Sequence, residues 1–471
     1  MFIGRERELQ SLERLYRQGT FQLPVIYGRR RVGKTAIIER FTRDLPTVYF
    51  TAVEADARVN LRNLSRELYA FEHPDSNPDA APLYGDFYTA FEAAFDLARQ
   101  RQVVFVIDEF PYLAKAEPGV PSYLQALVDR NKDVSLLFLI LCGSSLSFMK
   151  EQIFNEKSPL YGRRTAQLEV RPFDFFESLP FLRGMGPQEA AEAYGMVGGI
   201  PLYLLQFDGG DTLARNVEAA FLDPSSILYE EPVNLLKQEI QKASQYNAML
   251  AAIAGGASQN NQIATAVGLS STEITYYLKG LQRLELVKRE VPILGGGRRA
   301  TYRISDNLFR FWYRFVMPHR PTIERGITTR ALTAVESRMS EYMGPVFEEI
   351  CAQWIWRRYA SGDLDFDFDD IGRWWGNDPS VRQEAEIDIV CRAASAATAV
   401  GECKWRSEAF PTTALEKLMG RAALVNVRPD VRYYAFSKTS FTDACKTFAE
   451  GNDAVRLVSF ADMIGQAADC Q

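Results

Sequence analysis

Histidine is almost missing from this chain: His73 and His319 are the only two among 471 residues. That scarcity argues against His-rich metal centres and histidine-dependent nuclease chemistry, and leaves carboxylates and lysines to carry most of any catalysis. Six cysteines, Cys142, Cys351, Cys391, Cys403, Cys445 and Cys470, are scattered without a C-x-x-C pair. Neither a zinc ribbon nor a disulfide framework is indicated, and the thiols suit a reducing compartment. No apolar run approaches membrane-spanning length, and the opening MFIGRERELQ is charged too early for a signal peptide. The expectation is a cytoplasmic protein with no membrane partner. Positive charge is not in excess either, since the net charge is −6. Any nucleic acid must therefore be met by local basic surfaces.

What is present is an ordinary globular composition, 47% hydrophobic and 24% charged, on a chain long enough for two to four domains. One stretch carries explicit chemistry. Gly28 to Thr35 reads GRRRVGKT, the phosphate-cradling pattern G-x-x-x-x-G-K-[ST], set between a strand-like run (Val25 to Tyr27) and a helix-like run (Ala36 to Phe41). The backbone of Gly28, Arg29, Arg30, Arg31, Val32, Gly33 and Ala36 would direct N–H groups at phosphate oxygens, with the glycines giving freedom a Cβ would hinder. Lys34 would reach the β- and γ-phosphates of ATP, and Thr35 would hold Mg²⁺.

VVFVIDEF, Val103 to Phe110, is an apolar run ending in two carboxylates. Buried parallel strands have this composition, and ligands collect at their carboxyl ends. Asp108 is placed for the Mg²⁺ shell and Glu109 for orienting a water. A third buried run, Leu136 to Cys142, ends in Gly143, Ser144 and Ser145, small polar residues suited either to the γ-phosphate or to a turn. Arg163 and Arg164 in LYGRRT offer a transition-state charge, in cis or from a neighbouring subunit, or else a solvated face. Leu9, Leu12 and Leu15 follow helical spacing, with Phe2 to Arg5 near the base of the nucleotide.

Taken together, FIGRERELQSL, GRRRVGKT, VIDEF, LCGSS, YGRRT and GGIPLYL resemble the archaeal-type P-loop ATPases of the STAND and AAA+-like group over roughly the first 205 residues. The resemblance implies an ATP-driven switch, self-association into a homo-oligomer, and a Gly-x-Pro segment, here Gly199 to Pro201, that helps report the nucleotide state.

Beyond an Asp, Gly and Pro-rich stretch the pattern turns helical: Leu236 to Ile253, a short helix from Asn261 to Val267, and a helix from Ser271 to about Leu284. Ser270 and Glu273 have capping-box spacing. Val287 to Val291 and Tyr302 to Ile304 flank a flexible Gly295 to Gly297, giving the shape of a winged helix-turn-helix. Lys279 on the second helix, and Arg298 and Arg299 on the wing, are the nucleic-acid candidates. Internal packing is the competing role for this domain.

The aromatic Phe309 to Met317 would pack this domain on the C-terminal part of the chain. A helix is expected from Tyr342 to Tyr359, carrying Glu348, then three strand-like runs, Arg373 to Trp375, Ile387 to Arg392 and Thr398 to Trp405. Residues two apart on a strand share a face, so Glu402 and Lys404 would point together, and a hairpin would bring Asp388 to them. Two carboxylates would hold Mg²⁺ beside a lysine that positions water and stabilises charge, with Glu348 as a further acidic ligand. The helix from Thr412 to Val425 and strand from Val431 to Phe436 complete the order αβββαβ. That order and the D…E-x-K spacing look like the PD-(D/E)XK nuclease superfamily. More narrowly, Phe347-Glu348, Glu386 to Asp388 and Gly401 to Trp405 resemble the nuclease-like domain of unknown function fused to such ATPases. Where the superfamily has proline before the aspartate, this chain has Ile387. Asp363 to Asp370 reads as a solvated acidic loop.

The expected organisation is α/β throughout: a P-loop ATPase domain with a parallel sheet over 1–205, a helical linker over 206–235, a winged helix-turn-helix over 236–320 and a restriction-endonuclease-like domain over 321–471. The functional expectation is ATP hydrolysis controlling a Mg²⁺-dependent nuclease-like domain that acts on DNA. Its rival is an ATP-sensing DNA-binding regulator whose nuclease fold only binds.

Overall fold

The computed structural model describes residues 2–145, 148–239, 243–295, 300–379 and 382–468. The chain divides into two compact units, the first ending at Pro172 and the second beginning at Phe173. That division falls before the expected boundary at 205. No helix among the described residues is long and apolar enough to cross a membrane.

In the first unit, β1 (Pro24–Tyr27), β2 (Thr47–Thr51), β3 (Val103–Asp108), β4 (Leu137–Gly143) and β5 (Ala166–Glu169) form one sheet. Its order is β2-β3-β4-β1-β5 and every pairing is parallel. Every residue of β1, β3 and β4 is buried, which is why these strands read as continuous apolar runs. Around the sheet run α1 (Glu6–Tyr16), α2 (Lys34–Thr42), α3 (Ala57–Glu72), α4 (Phe87–Leu97), α5 (Phe110–Ala116) and α6 (Val120–Asn131). Asp56 and Asp86 start α3 and α4 by accepting the backbone N–H of Val59 and Thr89. The strand order sets the carboxyl ends of β1, β4 and β3 side by side, and with them Gly28, Ser144 and Asp108.

The second unit begins helically, with α7 (Pro187–Val197), α8 (Pro201–Leu204), α9 (Leu213–Phe221) and α10 (Ile227–Glu239). The stretch 206–235 is therefore not a linker: Phe221 and Tyr229 are buried. The ring of Phe221 lies 4.6 Å from that of Phe311, and the indole N–H of Trp312 donates to the Tyr229 carbonyl at 2.7 Å. Next come α11 (Ala243–Ala254), α12 (Asn260–Val267), α13 (Ser271–Arg283) and an antiparallel ribbon of β6 (Val287–Glu290) and β7 (Thr301–Ile304). Both hydrogen bonds of the Ser270–Glu273 capping box are made. After α14 (Asn307–Phe311) runs α15 (Thr329–Ala360), 32 residues long with Pro345 inside it, far longer than the expected Tyr342 to Tyr359.

The C-terminal sheet comprises β8 (Asp370–Asp378), β9 (Gln383–Ala393), β10 (Ala396–Lys404), β11 (Val427–Ser437) and β12 (Val455–Ser459), in the order β12-β11-β10-β9-β8. β8, β9 and β10 meander antiparallel, whereas β11 and β12 are parallel to β10. Helix α16 (Thr412–Ala422) crosses from β10 to β11. Helices α17 (Asp443–Glu450) and α18 (Phe460–Ala468), with β12, extend the expected αβββαβ order. The acidic segment before β8 is more than a solvated loop: Asp365 bridges Arg432 at 2.7 Å and Asp370 pairs with Arg392 at 3.2 Å.

Candidate functional site

At the phosphate loop, Gly28 adopts φ 154° and lies so close to the chain after β5 that a Cβ there would stand 2.3 Å from the Val170 carbonyl oxygen. Gly33, at φ 100°, turns the chain into α2. Lys34 is buried and donates to the carbonyls of Gly28 and Arg29, each at 2.9 Å, so it spans the mouth of its own loop. Burial pulls its pKa down, opposed by the negative groups around it, Glu109 and Asp108 among them. Arg31, Thr35 and Ala36 are exposed, Arg29 and Gly33 are half-buried, and Arg30 donates to the Tyr112 hydroxyl at 2.6 Å.

Asp108 ends β3 and is buried. Its Oδ2 accepts from Thr35 Oγ1 at 3.2 Å and from the Tyr49 hydroxyl at 3.0 Å, while Oδ1 accepts the Glu109 N–H at 2.9 Å. Thr35 and Asp108 are thus adjacent oxygen donors of the hard kind Mg²⁺ takes, and their proximity fits such an ion. Glu109 has φ 52°, a left-handed conformation uncommon for a side-chain-bearing residue. Its carboxylate lies 3.0 and 2.9 Å from the Ser144 hydroxyl. Arg163 grips Asp129 through Nε at 2.8 Å and Nη2 at 2.6 Å, and donates to the Pro159 and Tyr161 carbonyls. Pro201 opens α8 in the second unit.

Sequence spacing did not single out Tyr49 or the reach of Arg5. The Arg5 guanidinium is buried and donates to the Val32 carbonyl at 2.9 Å, supporting the loop from beneath. The only hint was the Gly-Arg pair before the first helix.

The second group of charges lies on the C-terminal sheet. The β9–β10 hairpin pairs Gly401 with Ile389, so Asp388 and Glu402 come next on either strand. Asp388 Oδ2 accepts the Cys403 N–H at 2.9 Å. Glu402 is buried, its Oε1 in contact with Lys404 Nζ, and its Oε2 lies 3.7 Å from Arg421 with no hydrogen-bond partner among the described residues. Burial and then the neighbouring Asp388 push its pKa up, with Lys404 opposing. Glu348 projects from α15, which Phe347 anchors by packing its ring 5.1 Å from that of Trp405. Burial pushes Glu348 up to about 7, with Arg373 opposing and Asp388 adding to the rise. The Phe-Glu and Gly-Glu-Cys-Lys-Trp steps therefore meet in space.

Among the described residues, no group of three or more His, Cys, Asp or Glu side chains is drawn together closely enough to cage a metal. Glu348 instead faces Arg373 Nε at 3.1 Å. The orphaned, buried Glu402 Oε2 beside Asp388 nevertheless fits a cation held by that pair and water. Nothing in the spacing pointed to Arg373 or Arg421, each brought in by tertiary pairing.

On α13, Lys279 is exposed in a row with Thr272 and Tyr276, the latter 72% exposed. Arg298 and Arg299 lie outside the described residues. On the β6–β7 ribbon, Arg303 binds Glu349 at 2.6 Å and Lys288 binds Glu290 at 2.9 Å.

Comparison with known proteins bears on the first of these sites. Residues 2–207 match the family described as an ATPase domain predominantly from Archaea, and residues 312–416 match one described as archaea bacterial proteins of unknown function. The uncharacterized ATP-binding protein MJ0423 of Methanocaldococcus jannaschii is 49% identical over 41 residues, covering 9% of this chain and 70% of that one. The Walker-type ATPase PABY2304 of Pyrococcus abyssi superposes with a TM-score of 0.51 at 21% identity, covering 66% of this chain and 96% of that one. The uncharacterized protein MJECL04 of M. jannaschii is 32% identical over 394 residues, 83% of this chain and 84% of its own. The chain, with its P-loop ATPase domain, belongs to the same family as MJECL04.

Proposed function

We propose that the chain is a cytoplasmic, self-associating ATP-driven switch whose phosphate-loop domain controls a Mg²⁺-dependent nuclease-like domain acting on DNA. In the ATP site, Lys34 exchanges the carbonyls of Gly28 and Arg29 for β- and γ-phosphate oxygens. Glu109, steadied by Ser144, orients the attacking water. Arg163 adds charge from its own or a neighbouring subunit, and Pro201 helps report the nucleotide state. Mg²⁺ held by Thr35 and Asp108 supplies charge neutralisation at the phosphates.

The helices α11 to α13 and the β6–β7 ribbon form a winged helix-turn-helix whose exposed row, with Lys279, meets DNA, joined by Arg298 and Arg299. In the C-terminal domain Asp388 and Glu402 hold Mg²⁺, with Glu348 as a further acidic group. Lys404 positions water and stabilises the charge that develops on the phosphodiester. The observation that carries this reading is the hairpin that gathers Asp388, Glu402 and Lys404 while Glu402 Oε2 has no hydrogen-bond partner among the described residues.

The test is incubation of purified protein with plasmid, linear and single-stranded DNA and with RNA, in Mg²⁺ or Mn²⁺. Cleavage lost in Lys404→Ala but retained in a surface control supports the reading. The looseness of the carboxylate group favours a second one, an ATP-sensing DNA-binding regulator with an inactive nuclease fold. No cleavage, with ATP-dependent retention of DNA, decides for that alternative.

A further inference from the structure

A cation already stands among the carboxylates of the C-terminal sheet, and it belongs to the protein. Between the pairs Gly372–Val390 and Trp374–Ile387 the register of β8 on β9 slips, so that Asp388 and Ile389 together face the single residue Arg373. Bulges of this kind re-aim a side chain, and they recur beside active sites. Arg373 Nε lies 3.1 Å from Glu348 Oε2 and its Nη2 lies 3.3 Å from Glu386.

The β6–β7 ribbon backs Arg373 from the open edge of the sheet. β8 is an edge strand, and the chain leaving β6 docks on it. The Ile293 N–H donates to the Arg373 carbonyl at 3.0 Å, and the Ile293 side chain packs over Gly372, where a Cβ would sit 3.3 Å from it. Ile293 and Leu294 lie against the apolar core of the C-terminal sheet. A cavity of about 370 Å³ separates the ribbon from the sheet, and Glu290, Arg303, Glu348, Arg373 and Asp388 all face it. It gives a small hydrated ion a route to Glu348 and Asp388.

We infer that Arg373 is a resident counter-cation, held by the wing, which a divalent metal must displace before Glu348 can join Asp388 and Glu402 as a ligand. This rests on the proposed metal site at Asp388 and Glu402. The guanidinium neutralises Glu348 and repels an incoming cation, so the wing keeps the site in a low-affinity state. Movement of the wing releases β8 and raises metal affinity.

Mn²⁺ binding to the nucleotide-free full chain, followed by calorimetry and by the electron paramagnetic resonance of the free ion, tests this directly. Wild type should bind weakly at a site abolished by Asp388→Asn. Arg373→Gln should bind roughly tenfold or more tightly, the gain from removing one adjacent like charge. Arg373→Met keeps the packing should the glutamine variant fold poorly, and Arg373→Lys should stay near wild type. Ile293→Ser, which loosens the wing's hold on β8 while the arginine itself is retained, should raise affinity in the same direction. Unchanged or weaker binding in both Arg373→Gln and Arg373→Met, with the Asp388-dependent site intact, overturns the inference and leaves the metal site standing. Binding indifferent to Asp388→Asn in every variant removes the metal site, and the inference with it.

Discussion

Gly28 shows how closely one backbone position can be prescribed. With φ 154° and the Val170 carbonyl 2.3 Å from where a Cβ would be, Gly28→Ala must push β1 and the chain after β5 apart. Overpacking of this kind costs about 1–3 kcal/mol, so urea unfolding should shift by that amount and nucleotide binding should weaken with it. Lys34→Ala should lower ATP turnover on the order of 10²-fold or more, as loss of a transition-state charge partner does. Glu109→Gln should separate binding from chemistry, keeping nucleotide affinity while turnover falls roughly 10²-fold or more. The loop residues could be read from the sequence because this chemistry is local: spacing along one strand–loop–helix specifies it. Arg5, Tyr49, Arg373 and Arg421 could not, because each reaches its partner only through tertiary packing.

Among elements, the buried strands and capped helices announced themselves through apolar runs and through residues such as Asp56, Asp86 and Ser270. The expected start at Tyr342 misses the first turns of α15, where Ala331, Val335 and Met339 already bury one face of the helix. The slip opposite Arg373 was equally invisible, since strand periodicity presumes an unbroken register. The β6–β7 ribbon offers a test at this scale. Burial alone would raise the pKa of Glu290, but Arg303 and Lys288 outweigh it and hold the group below its ordinary 4.5. A depressed folded value means that ionised Glu290 stabilises the fold above the unfolded value and loses that contribution as pH falls through the folded one. Glu290→Gln should therefore be less stable than wild type by about 1–3 kcal/mol near neutrality, and the gap should close in acid. Denaturation midpoints from pH 7 down to pH 3 read this out.

For the molecule as a whole, the parallel character of the first sheet and four of the C-terminal strands follow the element types visible in the sequence, whereas β5, β12 and the order β2-β3-β4-β1-β5 do not. The division at 172/173 does not, because Phe221, Tyr229 and Trp312 tie the helices after the ATPase motifs into the second unit through contacts far apart in the chain. One assay addresses the proposed link between ATP and output: the rate of Mg²⁺-dependent DNA cleavage against ATP concentration, for wild type, Lys34→Ala and Lys404→Ala. A wild-type rate that changes with ATP, a Lys34→Ala protein that cleaves but ignores ATP, and no cleavage by Lys404→Ala are expected. Cleavage that responds to ATP equally in wild type and Lys34→Ala, or that survives Lys404→Ala, contradicts the proposal.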